Sequence, residues 1–213
     1  GMIVFAIAKP FCLRAIAEAD FVRRRNVWLF LTTVAFLSPN FWLFALVAGV
    51  TYAIAGRRDT TPAAFFVFFL HVVPPYRFEI PGPGSIQIFP LDNYRLLAIA
   101  LLLALAFKIW SERRGDDNRR FVSTDFFLLA FLGLQLVLYV PYESPTNTVR
   151  RLILQGFDVV LPYYVISRSM KDRRAFIDVL ASFCLCCLIF ALIAVPEAIK
   201  KWPFYSAIAE AWG

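Results

Sequence analysis

The chain has 213 residues, of which 60% are apolar, 17% are charged and 23 are Phe. Soluble domains are about 45–50% apolar and about 25% charged, so a soluble fold of this length could not bury this much apolar surface. A net charge of +7 then indicates basic loops that set membrane topology and attract anionic lipid, and excludes nucleic acid as the expected partner.

Charged residues stand between the apolar runs of the chain and not within them. A charge at mid-bilayer costs several kcal/mol, whereas a flanking charge faces water or lipid headgroups. The pattern therefore predicts an all-α fold, a polytopic transmembrane helical bundle with about six or seven membrane segments. The flanking basic residues are Arg23–Arg25, Arg57 and Arg58, Lys108, Arg113 and Arg114, Arg119 and Arg120, Arg168, Lys171, Arg173 and Arg174.

The chain begins with an apolar stretch, 2–25, that several charges interrupt, and we expect it to be an amphipathic helix in the membrane interface. The next run, 27–55, is longer than the about 20 residues that one span needs. Ser38-Pro39-Asn40 stands in its middle as a turn signal. The run is either one long kinked helix or a helical hairpin, and arginines on both flanks favour the hairpin.

The remaining segments follow from apolar runs and the breaks between them. Pro81-Gly82-Pro83-Gly84 cannot continue a helix, so we expect a structured, non-helical outer loop around it. Together the segments form one transmembrane domain, 1–213. We predict further spans at 60–77, 94–110, 121–140, 149–167 and 176–195, an outer loop at 78–93 and an outer segment at 196–213.

Most of the 22 basic residues lie on one side of this topology. Cytoplasmic loops are enriched in Lys and Arg, so we expect a multi-pass membrane protein with a cytoplasmic N-terminus. The basic residues on the outer side are Arg77, Arg95, Arg150, Arg151, Lys200 and Lys201.

Arg150 and Arg151 stand where a helix re-enters the membrane from outside, against the charge bias. A guanidinium group is a rigid fork that matches phosphate oxygens, which favours binding of an anionic headgroup. The alternative is that both side chains reach lipid phosphates or pair with Glu143. Lys200 and Lys201 have a similar position and either extend the same anionic site or rest in headgroups.

A second outer cluster surrounds the Pro-Gly loop. Ion pairs that hold the loop are the first interpretation, and contact with an acceptor or a sugar is the alternative. The cluster consists of Arg77, Glu79, Asp92 and Arg95.

Asp158 and the single histidine, His71, are the remaining polar candidates. A carboxylate within a span is a functional candidate by default, although it could also pair with an arginine of a neighbouring helix. We interpret His71 as a polar residue at a helix end, and catalysis as the less favoured alternative.

No sequence motif points to a metal or a cofactor. The four cysteines have no histidine near them, so we expect small thiols packed in helices. Walker A, dinucleotide-binding, metalloprotease and nucleophile-elbow motifs are absent from the sequence, and no catalytic residue is assigned.

Several stretches are familiar in combination. RRRNVWLFLTTVAFLSPNFWLFALVAG joins a basic stop, a helix, a turn and a second helix, and VPPYRFEIPGPGSIQIFPLDNYRLLAIALLL follows. TVRRLILQGFDVVLPYYVISRSMKDRRAF then leads to a helix ending VPEAIKKWPFYSAIAEAWG. Over essentially the whole chain, this order resembles the amino-terminal part of the O-antigen ligase and O-antigen polymerase superfamily of bacterial polysaccharide assembly.

The resemblance implies a metal-independent glycosyltransferase of the bacterial inner (cytoplasmic) membrane that moves a glycan from an undecaprenyl-pyrophosphate carrier at the periplasmic face. It implies that outer-face arginines hold the pyrophosphate, which coincides with Arg150 and Arg151. The family's base-like histidine lies in a later periplasmic loop, and His71 is not at the matching place. We therefore expect an amino-terminal fragment that is inactive alone.

Two alternatives remain from other functional classes. One is a transporter or flippase subunit for lipid-linked sugars, and the other is a non-catalytic membrane scaffold. A transferase of this class needs its charges at the outer boundary, whereas a transporter needs polar residues near the bilayer midplane.

Overall fold

The computed structural model describes residues 2–73, 77–81, 87–113, 123–170 and 172–200. Its architecture is helical, which confirms the predicted class, and one two-stranded hairpin is added to it. The elements are α1 (Met2–Cys12), α2 (Glu18–Leu37), α3 (Phe41–Arg58), α4 (Pro62–Val72), β1 (Arg77–Pro81), β2 (Gln87–Asp92), α5 (Asn93–Leu97), α6 (Ala104–Arg113), α7 (Ser123–Tyr139), α8 (Pro145–Gln155), α9 (Leu161–Ser169) and α10 (Arg173–Lys200).

The N-terminal region differs from the single interfacial helix predicted for 2–25. Helix α1 ends at Cys12, and α2 starts at Glu18 and carries the three arginines into its own first half. Arg24 is fully buried in the protein, so the prediction that it faces water or headgroups is wrong. The reason is that carboxylates from two other segments meet it inside the bundle.

The run 27–55 is divided into two helices, as in the hairpin alternative. Helix α2 ends at Leu37 and α3 starts at Phe41. The side chain of Asn40 accepts a hydrogen bond of 2.9 Å from the Leu43 N–H and caps α3. This cap satisfies a free N–H group of the first turn and fixes where the second helix begins.

The region from α4 to β2 corrects two predicted boundaries. Helix α4 stops at Val72, short of the predicted end at residue 77, because Val73 precedes a proline and has extended backbone angles. The predicted outer loop, 78–93, contains an antiparallel pair of strands, with Arg77 opposite Asp92 and Glu79 opposite Pro90 in the backbone register.

The later helices also differ in length from the predicted spans. Helix α5 continues through a π-helical segment into α6, and α8 continues through a second π-helical segment into α9. The continuous stretches are 93–113, 145–169 and 173–200, and the last of these extends into the predicted outer segment 196–213.

The apolar core lies among α2, α3, α4, the stretch from α5 to α6, and α10. Phe65, Phe68 and Phe69 of α4 are fully buried in it. Gly56 of α3 lies against Leu101, and a Cβ at this position would overlap the Leu101 side chain. The missing side chain therefore permits the close approach of these two elements.

Two helices in the described part of the chain are long and apolar enough to cross a membrane, at 93–111 and 173–199. Shorter apolar helices lie at 62–72 and 123–139. Helix α7 buries only Asp125 and Leu132 and exposes large side chains such as Phe126 and Phe127. Such a surface suits a hydrocarbon environment.

Candidate anion-binding groove

An open groove of about 470 Å³ runs along one face of α8 and the π-helical segment Gly156–Val160. Ser144 begins the helix, since its side chain accepts from the Asn147 N–H at 3.3 Å and Pro145 occupies the first turn. Residues spaced by three and four positions then face the same side. The lining residues are Glu143, Asn147, Arg150, Arg151, Leu154, Gln155, Asp158 and Val159.

The end of the groove that contains Arg150 and Arg151 is cationic and only loosely neutralised. Arg151 lies 3.7 Å from Glu143 and has 44% of its side chain exposed. Its guanidinium carbon is 4.0 Å from the centre of the Tyr139 ring. The Glu143 pairing weighed above is present, but 3.7 Å is beyond hydrogen-bond range. Among the described residues, the buried Nε of Arg150 has no hydrogen-bond partner.

The middle of the groove contains an amide pair between two helices. Gln155 Nε2 donates a hydrogen bond of 2.8 Å to Gln135 Oε1 on α7. The Gln155 Oε1 is buried and has no partner within the described part of the chain. A buried acceptor without a donor costs about 1–3 kcal/mol and calls for an explanation.

The deep end is held by an ion pair that joins two predicted candidates. Arg95 Nε and Nη2 donate to the Asp158 carboxylate at 3.0 and 2.6 Å. Arg95 Nη1 also donates to Asp92 Oδ2 at 3.1 Å and to the Pro90 carbonyl at 2.9 Å. The Tyr94 hydroxyl donates to the backbone carbonyl of Asp158. Asp158 therefore pairs with a neighbouring arginine while still facing the groove.

Among the side chains that the structure describes, only some of the sequence candidates line the groove. Arg77 and Glu79 lie on β1, and Lys200 is the last residue of α10. Lys201 lies outside the described residues. His71 is not among the groove-lining residues, and its ring faces Phe183 and Phe190 of α10, with centroids 6.4 and 6.5 Å apart.

Sequence reasoning missed a second charged site, which we call the buried arginine cluster: Arg24, Asp59, Asp178 and Ser182. Arg24 donates to Asp59 at 2.7 and 3.0 Å, to Asp178 at 2.7 Å and to the Ser182 hydroxyl at 2.6 Å. Burial raises the pKa of the Asp59 carboxyl, against the lowering effect of Arg24. The sequence signal was two acidic residues close to basic flanks: Asp59 follows Arg58 directly, and Asp178 follows Arg174 by four positions.

The described residues contain no group of three or more His, Cys, Asp or Glu side chains that could hold a metal ion. The groove offers guanidinium, amide and carboxylate groups. Such a set can bind phosphate oxygens and hydroxyl groups without a metal.

No protein-family model, curated protein or solved structure is significantly similar to this chain. The resemblance to the O-antigen ligase and polymerase superfamily therefore stays a prediction, and function has to be argued from the groove.

Proposed function

We propose that this chain is a multi-pass membrane protein of bacterial polysaccharide assembly that binds the undecaprenyl-pyrophosphate group of a lipid-linked glycan. The observation that carries the proposal is the pair Arg150 and Arg151 at one end of an open groove, with a buried, unpartnered Arg150 Nε. Buried polar groups are normally satisfied, so an unpaired guanidinium nitrogen favours an anionic ligand.

The position of the groove along its helix supports this assignment. Arg168 pairs with Asp125 at 2.7 Å. It lies at the end of the helix that the charge pattern assigns to the side with most basic residues. Arg151 precedes Arg168 by roughly 26 Å at the α-helical rise. This separation approaches the roughly 30 Å thickness of a hydrocarbon core. Arg150 and Arg151 therefore suit the headgroup layer opposite to that of Arg168.

The buried arginine cluster supports the same topology. It joins the first half of α2, the end of α3 and the first half of α10 at one end of the bundle. The charge pattern assigned the flanks of these three segments to one side of the membrane. Helices α2 and α10 start at this end of the bundle and α3 ends there, which agrees with the assigned sides.

The chemistry that follows is transfer of a glycan from its carrier. An acceptor hydroxyl attacks the anomeric carbon, the bond from that carbon to the pyrophosphate oxygen breaks, and the pyrophosphate leaves with the electron pair. Arg150 and Arg151 stabilise the charge that develops on the leaving group. The groove assigns no base, so the acceptor's proton passes to solvent or to a group outside the described residues.

The test is binding of undecaprenyl pyrophosphate to the full chain in phosphatidylcholine nanodiscs. Replacing both arginines (Arg150→Ala with Arg151→Ala) removes two charge-assisted contacts, and we expect affinity to fall by about tenfold or more. Undecaprenol, which lacks the phosphates, distinguishes headgroup binding from binding of the lipid tail. Nanodiscs with phosphatidylglycerol distinguish a carrier site from a general site for anionic lipids.

A matched control is the pair Arg57 and Arg58, which is exposed at the end of α3. Replacing both by Ala removes the same charge from a different place, and affinity for undecaprenyl pyrophosphate should not change. Equal losses in the two double variants would show nonspecific charge attraction and contradict the proposal.

A transporter or flippase for the same lipid-linked sugar is the second candidate, and the Arg95–Asp158 ion pair favours it. Asp158 precedes Arg168 by roughly 15 Å along the helix, which is half of a hydrocarbon core of about 30 Å. Asp158 lies within the π-helical segment Gly156–Val160, and Arg95 lies three residues before the π-helical segment Ala98–Leu103. Polar groups and interrupted helices near the midplane are typical of transporters.

Flux of a fluorescent undecaprenyl-linked sugar across liposomes containing the full chain separates the two functions. A transporter moves the probe between leaflets, and Arg95→Ala should reduce that rate. A chain that binds the probe through Arg150 and Arg151 and moves none of it supports the transferase class.

A further inference from the structure

We infer that the hairpin of β1 and β2 enters the outer half of the membrane beside α8, and that the groove along α8 is filled with water down to the Arg95–Asp158 ion pair. The inference shares the membrane position of α8 with the proposed function, but it depends on no particular ligand. It assigns a hydrophilic compartment at mid-membrane depth, which water and small polar solutes reach from the outer side.

The foot of the hairpin lies at the level of Asp158. Strand β2 ends at Asp92, whose side chain accepts a hydrogen bond of 2.8 Å from the Arg95 N–H. The Arg95 guanidinium then donates to Asp158 at 2.6 Å and to the Pro90 carbonyl of β2 at 2.9 Å. Asp158 precedes Arg168 by roughly 15 Å along the helix, which is half of a hydrocarbon core of about 30 Å. The foot of the hairpin is therefore near the middle of the membrane.

From this foot the hairpin runs toward the outer side. Strand β2 contacts α8, and α8 is the part of its helix that lies outward of Asp158. The six residues Gln87–Asp92 of β2 span about 20 Å at the rise of a strand. This length covers the roughly 15 Å from the middle of the core to the outer headgroups. Strand β1 follows the same course in the opposite direction, because it pairs with β2 over Arg77–Pro81.

A hairpin at this depth requires water. The sheet in the described part of the chain has two strands, so each strand has an open edge whose N–H and C=O groups point away from the other strand. Open sheet edges do not occur against hydrocarbon, and they are tolerated where they are buried in protein or line a water-filled cavity. The groove of about 470 Å³ along α8 is large compared with the about 30 Å³ that one water molecule occupies.

The side chains at this level agree with a water-filled groove. Asp92 and Asp158 are 29% and 32% exposed, and a carboxylate is among the most costly groups to place against hydrocarbon. Leu152 and Ile153 of α8 do not line the groove and are exposed apolar side chains. Helix α8 therefore has one face that suits lipid and another that suits water.

The test is modification of an introduced cysteine by a membrane-impermeant, positively charged methanethiosulfonate reagent. The full chain is probed in right-side-out and in inverted membrane vesicles. Val159 lines the groove beside Asp158 and is exposed. In right-side-out vesicles, Val159→Cys should react at least about 100-fold faster than a thiol that faces lipid at the same depth. The reagent attacks the thiolate, and mid-bilayer surroundings disfavour an ion by about that factor.

Phe131→Cys on α7 is the matched control at the same depth. Helices α7 and α8 are joined by a short connection and run in opposite directions, and Gln135 of α7 accepts from Gln155. Phe131 lies four residues before Gln135, and Val159 lies four residues after Gln155, so the two positions are level. Phe131 is exposed and does not line the groove. Its cysteine variant should stay unmodified from either side.

The unsubstituted chain measures the reaction of the native thiols. Cys184 and Cys187 are exposed on the apolar helix α10, and we expect them to stay unmodified. Thermal unfolding establishes that each variant is folded. Leu154→Cys repeats the test if Val159→Cys does not fold, because Leu154 lines the same groove roughly 7.5 Å nearer its outer end.

Three results would overturn the inference. Absence of reaction at Val159→Cys from both sides would show a dry groove. Equal rates in Val159→Cys and Phe131→Cys would show that the helix pair has no lipid-facing side. Reaction of Val159→Cys in inverted vesicles only would show that the groove opens toward the inner side.

Failure of the inference and failure of the proposed function give different results. If Val159→Cys reacts as expected and the chain binds no undecaprenyl pyrophosphate, the proposed function is wrong and the water-filled groove remains. If the chain binds undecaprenyl pyrophosphate through Arg150 and Arg151 while Val159→Cys stays unmodified, the proposed function remains and the inference is wrong.

Discussion

Arginine has opposite surroundings in the buried arginine cluster and in the groove. Arg24 is fully buried, and each of its guanidinium nitrogens donates to Asp59, Asp178 or Ser182. In the groove, the described residues give the buried Arg150 Nε no hydrogen-bond partner, and Arg151 lies 3.7 Å from the Glu143 carboxylate. Unsatisfied donors, and not arginine itself, therefore mark a position where a ligand is expected.

Arg24→Ala removes the cation of the buried arginine cluster and has the largest expected effect. It leaves Asp59 and Asp178 buried without their cation, which costs about 3–5 kcal/mol when one partner of a buried ion pair is removed. We expect a large loss in the free energy of unfolding in detergent, followed by tryptophan fluorescence. Arg25→Ala is the control, because this side chain donates to its neighbour Asn26 and is not part of the cluster. Similar losses in the two variants would contradict a structural role for the cluster.

Arg95→Ala tests the intermediate case, in which an ion pair is partly exposed. Arg95 is 12% exposed and Asp158 is 32% exposed, so water partly screens the carboxylate that is left behind. We expect a loss of about 1–3 kcal/mol, smaller than for Arg24→Ala. Adding Asp158→Ala should recover part of that loss, since the two residues are in contact and their effects are not additive. Strict additivity in unfolding experiments would contradict the pairing.

Substitutions at two glycines test packing without changing a charge. Gly56→Ala places a methyl group against buried Leu101, and overpacking of this kind costs about 1–3 kcal/mol. Gly133→Ala in α7 has nothing within 4 Å of the added carbon, so the better helix propensity of Ala should leave stability equal or up to about 1 kcal/mol higher. Both values come from the same unfolding assay. A reversed order would show that α3 and Leu101 do not pack closely.

The sequence predicts the helical class and many of the breaks between elements, because apolar runs and turn residues are local signals. The turn at Ser38–Asn40 is one such signal, and the Asn40 cap realises it. Tertiary partners are not local. Arg24 was interpreted as a flanking residue at the end of the interfacial helix, because its partners, Asp59 and Asp178, are 35 and 154 positions away. The strands β1 and β2 were also missed as strands, since prolines and glycines in that region indicate only a break in the helix.

The same limit applies to the groove. Arg150 and Arg151 were predicted as a pair from their position against the charge bias, and Asp158 as a polar residue within a span. Their common groove depends on one helix face and on the Arg95 pairing, which joins positions 63 residues apart. Gln155 was not selected, because an amide next to apolar residues has no distinctive pattern until the unpaired Oε1 is seen in its surroundings.

The smallest expected effect on stability is that of replacing Arg150 and Arg151 by Ala. The ion pair between Arg151 and Glu143 is 3.7 Å long and partly exposed, and a loose pair of this kind contributes about 0–1 kcal/mol. We therefore expect unfolding of the ligand-free double variant to match the wild type within about 1 kcal/mol. Undecaprenyl pyrophosphate should then stabilise the wild-type chain and not the double variant, because a ligand raises stability only through the state that binds it. A double variant that loses as much stability as Arg24→Ala would make the groove arginines structural, and the difference between the two regions would disappear.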